Sequence, residues 1–163
     1  MNRNQSAGTP IILVTLLVAG WLELLPLTDA LDYLRPQWLV LAMIYWAIAL
    51  PHRIGVVWGG LIGLVQDVLL GSVLGQHALA MTLAVYIAQS TYKRLRVFPP
   101  LQQSAVVFLL VGVAVISSYL VQDFAGRALL SPMTMLISAV VSAVFWRPVF
   151  LSLRWTRRRF LVR

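Results

Sequence analysis

The sequence contains no cysteine, which excludes disulfides, thiolate metal sites and a cysteine nucleophile. Charge is scarce too. Only 11% of the 163 residues are charged, against about 25% in a soluble domain. Five are acids, and there are two histidines. No P-loop, GxSxG or HExxH motif is present, and no cluster has the spacing of metal ligands. No catalytic residue, cofactor site or metal site is therefore assigned. An enzyme acting on lipids needs a nucleophile, a metal or paired acids near the interface, and none stands at a convincing spacing.

What is abundant is apolar. Hydrophobic residues make up 60% of the chain, so they must face lipid as well as each other. A helix needs about 20 residues to cross a bilayer. Six spans use roughly 120 residues and leave roughly 40 for loops and tails. No soluble catalytic domain of ordinary size fits in that remainder. The spacing predicts an all-α, polytopic membrane protein forming a single membrane domain over 1–163. The expected spans are 9–27, 37–50, 54–70, 77–92, 101–121 and 132–153, followed by a basic tail over 154–163. Pro36 is expected to open span two, because proline suits a first helical turn. Pro51-His52-Arg53 reads as a tight turn. The apolar run Ile11–Leu25 follows Arg3 without a small-x-small cleavage site, so it reads as a retained helix and not a removed signal. There is no linker, no low-complexity segment and no convincing repeat.

The net charge of +8 does not point to nucleic acid, since no soluble basic face is available. Its distribution is topological. Six spans place Arg3, Arg53, Lys93, Arg94, Arg96, Arg147, Arg154, Arg157, Arg158, Arg159 and Arg163 toward one side, and only Arg35 and Arg127 toward the other. Positive residues favour the cytoplasmic side, so both termini are expected there. Asp29, Asp32 and Asp123 then fall outside. The cluster Arg154, Arg157, Arg158 and Arg159 is a candidate for anionic-lipid contact or a simple determinant of topology.

Two acids lie inside apolar runs, where ionisable groups are costly. Glu23, near the outer end of span one, reads as an interfacial carboxylate in reach of water or Arg35. Asp67 lies about a turn before the end of span three. It can accept bonds from amides of the following link, or from the start of span four. The alternative is a contact with a partner or ligand. Asp67 and His77 can approach each other across the turn that holds Gly71 and Gly75, but without a third group they are a weak catalytic signal. Gly59 and Gly63 have the spacing that permits close helix approach, either within the chain or toward another membrane protein. Trp21, Trp38, Tyr92, Trp146 and Trp155 stand toward span ends, as interfacial belts require. Tyr45 and Trp46 lie deeper and read as packing.

Three stretches together carry a family resemblance. The first is Arg35-Pro36-Gln37-Trp38-Leu39. The second runs from Ile44-Tyr45-Trp46-Ala47 through Pro51-His52-Arg53-Ile54-Gly55. The third is Gly63-Leu64-Val65-Gln66-Asp67-Val68-Leu69-Leu70-Gly71-Ser72-Val73-Leu74-Gly75-Gln76-His77-Ala78-Leu79. In order and spacing they resemble the rod-shape-determining MreD family of Gram-negative bacteria, over essentially the whole chain. Gln66 departs from the pattern, standing where an apolar residue is expected. The resemblance implies a non-enzymatic inner-membrane scaffold of the cell-elongation machinery. It implies a direct partner, the single-span protein MreC, and a wider complex with MreB, RodA and a class B penicillin-binding protein. It also implies a six-helix fold similar to the substrate-binding subunits of energy-coupling-factor vitamin transporters. A small-molecule binder like those subunits is the alternative function, and would need a polar pocket around Glu23 and Asp67.

Overall fold

The computed structural model describes residues 8–26, 34–127 and 132–160. Arg3, Asp29, Asp32 and Arg163, which enter the charge pattern above, lie outside the described residues. Six helices and no strand occur among the described residues. They are α1 (Gly8–Leu24), α2 (Trp38–Ala49), α3 (Val56–Leu70), α4 (Gln76–Leu95), α5 (Pro100–Phe124) and α6 (Pro132–Arg159). Two are long and apolar enough to cross a membrane, over Leu101–Phe124 in α5 and Met135–Arg159 in α6, while α1, α2 and α3 are shorter apolar helices.

The shortest helix is the centre. Eleven of the twelve residues of α2 are buried, and it carries no charge. A helix that is apolar all round belongs inside a larger body, and α2 packs against α1, α4, α5 and α6. From α3 onward each helix also packs on the next. Trp46 of α2 donates its indole N–H to Thr15 Oγ1 of α1 at 2.9 Å, which satisfies the one polar group of a fully buried ring.

The ends of the helices follow local chemistry. The helix α2 stops at Ala49, ahead of Leu50-Pro51, because a residue before proline is pushed out of helical geometry. The helix α5 starts on Pro100, whose missing N–H costs nothing in a first turn. Pro36 does not play that role for α2. It precedes the N-cap Gln37, and its carbonyl accepts the Trp38 amide at 2.9 Å.

Three expectations need correction. The helix α6 runs unbroken to Arg159, so Arg154, Arg157, Arg158 and Arg159 extend the last helix and do not form a separate tail. Trp146 is not interfacial. It is 2% exposed and stands in the core, with Phe150 at a ring-centroid distance of 5.7 Å. Glu23 is not a solvated carboxylate at a helix end; it is buried.

Candidate functional site: two buried carboxylates and the cleft beside them

Asp67 is built into the junction of α3 and α4. The helix α3 ends on Gly71, whose φ of 61° places it in the left-handed region. The Ser72 amide returns to the Asp67 carbonyl at 3.0 Å, and the Gly71 amide to Val68 at 3.4 Å. This is the six-to-one and five-to-two pattern of a Schellman end. It folds the link back over the last turn of α3 and sets Gly75, with φ 96°, at the N-cap of α4.

A glycine N-cap has no side chain with which to accept the free amides of its helix. Asp67 supplies it from the preceding helix. Its Oδ2 accepts the Gly75 amide at 2.8 Å, and its Oδ1 accepts the His77 amide at 2.8 Å. Ser72 Oγ donates to Oδ1 at 2.8 Å. His77 Nδ1 lies 2.8 Å from the same oxygen. A carboxylate only accepts, so Nδ1 carries a proton there. Asp67 is 1% exposed. Every partner is a donor, so the arrangement stabilises the charged carboxylate and positions α4. It presents no free base and no nucleophile.

Close helix approach makes this junction possible. A Cβ on Gly63 would lie 2.5 Å from Ala78 Cα and would also strike the His77 carbonyl. A Cβ on Gly59 would lie 3.1 Å from the Met81 carbonyl oxygen. Both glycines thus face α4 within the chain. They meet His77, Ala78, Met81 and Val85 of that helix, while another of its faces carries a buried stripe of Ala80, Ala84 and Ala88, which the sequence reading did not single out. Its signal was present in the four-residue spacing of small side chains.

Glu23 repeats the device. Its Oε2 accepts the amide of Leu39, in the first turn of α2, at 3.0 Å. Arg35 does not pair with that carboxylate oxygen by these bonds. Its guanidinium donates to the carbonyl oxygens of Glu23 and Leu25. The segment ahead of α2 is held from the other side by α6. Ser138 Oγ donates to the Arg35 carbonyl at 2.7 Å, and the Gln37 amide donates to Ser142 Oγ at 2.9 Å.

Beside Glu23 a cleft of about 340 Å³ opens between α1 and α3, with Leu39 of α2 in its floor. Gln66 lines it and Asp67 does not. The polar pair expected around Glu23 and Asp67 is therefore Glu23 and Gln66. Sequence inspection met Gln66 only as a departure from pattern.

At the opposite end of the bundle the links are tied by two long side chains. Gln89 Nε2 donates to the carbonyls of Pro51 and Ile54 at 2.8 and 3.0 Å. Arg96 caps the end of α2, donating to Ile48 and Ala49 carbonyls at 2.7 and 2.9 Å. His52 is exposed, and Arg53 is half-buried beside Thr9 and Trp58. Arg96, Arg154, Arg157 and Arg158 share a second cavity, of about 390 Å³, with Tyr45 and Trp146. Arg159 is exposed. Among the described residues no group of three or more His, Cys, Asp or Glu could hold a metal.

Residues 5–156 match the family model described as rod shape-determining protein MreD. Among curated proteins, the rod shape-determining protein MreD of Haemophilus influenzae is 35% identical over 148 residues, which cover 91% of each chain. No solved structure matches.

Proposed function

The chain belongs to the MreD family of rod shape-determining proteins, and from that premise we propose that it is a non-enzymatic scaffold of the inner membrane that holds MreC in the cell-elongation complex. One observation carries the reading. The buried acids are committed to tying helices together, while large apolar side chains cover the outside. Val57, Leu61 and Val68 of α3 are exposed, as are Leu109 of α5 and Val144 of α6. Such a body offers a partner lateral helix faces, and membrane helices associate through close packing of such faces.

In this reading all six helices cross the membrane, in a fold similar to the vitamin-transporter subunits. The end bearing Arg53, Arg96 and Arg154–Arg159 lies in the cytoplasm, following the positive-inside rule. The short α2 spans by virtue of its central position, where protein and not lipid surrounds it. MreB, RodA and a class B penicillin-binding protein join through the wider complex, and the arginines extending α6 meet anionic lipid. The test is affinity purification of the tagged chain in mild detergent from cells containing MreC. MreC should co-purify in a fixed ratio, and its absence with both proteins present would overturn the proposal.

A further inference from the structure

The cleft between α1 and α3 carries an inference separate from MreC binding. Its walls are apolar. Leu13, Leu17 and Trp21 of α1 face Val65 and Leu69 of α3, and all five are exposed, so the cleft opens on the outer surface. From Leu13 to Glu23 it follows about 15 Å of helix. Polar groups occur at one end only, where Glu23 and Gln66 line it. Gln66 is 4% exposed, and its amide stands beside the Glu23 carboxylate, yet neither its oxygen nor its nitrogen makes a hydrogen bond of ordinary length. A buried amide without partners is costly, the more so in a low-dielectric surrounding. One oxygen of the neighbouring Glu23 is already engaged by the Leu39 amide.

We propose that this cleft binds an uncharged lipid, an acylglycerol whose hydroxyl head pairs with Gln66 while its chain lies along α1. A hydroxyl both donates and accepts, so it can complete the amide oxygen and also accept from the nitrogen that stands beside Glu23. An anionic head would be set beside Glu23. A partner helix matches less well. Its backbone polar groups are already satisfied internally, so it leaves the Gln66 amide without a partner.

Monoolein carrying a photoreactive group in its chain tests this on the intact protein in detergent. It should bind saturably and crosslink to α1 and α3, and an alkane probe of equal length should bind about tenfold more weakly, 1.4 kcal/mol by the affinity relation. Gln66→Leu should remove that tenfold preference. It should leave the thermal midpoint of the lipid-free protein unchanged or raised, because an unpartnered amide is replaced by an apolar group. Gly20→Leu should abolish binding of both probes in a folded protein, since nothing lies within 4 Å of a Cβ at Gly20 and the new side chain fills the cleft. Three results would each overturn the proposal: no saturable binding, retained preference in Gln66→Leu, or a lowered midpoint in Gln66→Leu showing that Gln66 serves the fold.

Discussion

The Asp67 carboxylate and the Gly75 amide meet at 2.8 Å, so the last turn of α3 provides the cap that the first residue before α4 cannot. Glu23 stands in the same relation to Leu39. In each case a buried acid on one helix accepts an amide at the start of the next. Carboxylates near helix N-termini are favoured by the free amides and by the helix dipole, and a low-dielectric setting strengthens the contact.

Replacing Asp67 should be the most damaging single change at this junction. Asp67→Ala strands the Gly75 and His77 amides, and a loss of about 1 to 3 kcal/mol for each buried donor left without an acceptor is expected. Asp67→Asn keeps one acceptor and should cost less. Folded yield by size exclusion, read against MreC captured per folded molecule, separates the roles. Reduced yield with unchanged capture is the expected result. Normal yield with lost capture would make Asp67 a contact residue.

The two glycines of α3 should differ. Gly63→Ala drives a methyl into the backbone of α4, whereas Gly59→Ala makes only a tight contact. Overpacking of this kind costs about 1 to 3 kcal/mol, and Gly63→Ala should lie at the upper end. Thermal midpoints of the two purified variants give the order directly; equal midpoints would contradict the close α3–α4 approach.

Arg96→Lys should lower stability even though it keeps the charge. A lysine cannot reproduce the guanidinium fork that holds the Ile48 and Ala49 carbonyls. Because Arg96 is exposed and its partners are backbone carbonyls, the effect should stay within about 1 kcal/mol. Proteolysis at the Pro51–Ile54 link should quicken in the variant, and an unchanged rate would show the contact to be idle.

Neutralising Arg157, Arg158 and Arg159 to Gln should weaken the orientation of the chain. The protein has no cysteine, so a single cysteine introduced near the end of α6 reports its side through labelling in intact cells. A mixed population of labelled and protected termini is expected. Uniform protection together with normal cell shape would make the cluster dispensable.

The sequence by itself determined the helical class, the rough positions of the six helices among the described residues and the charge pattern. Those follow from runs of apolar residues broken by Pro, Gly and Arg, which act locally. It also marked Asp67, because an acid in an apolar run has to find donors nearby, and the glycines and His77 lie within ten residues. Tertiary structure decided what depends on distant neighbours. It made the shortest helix the centre, buried Trp146, and carried α6 past its apolar stretch to Arg159. Glu23 looked like a surface charge because its partner amide, on Leu39, lies beyond a connecting segment whose path no local pattern fixes. Gln66 looked like a lapse in an apolar face. Only the placement of α1 beside α3 shows it lining a cleft next to Glu23, because a helix face acquires its surroundings from the other helices and not from its own sequence.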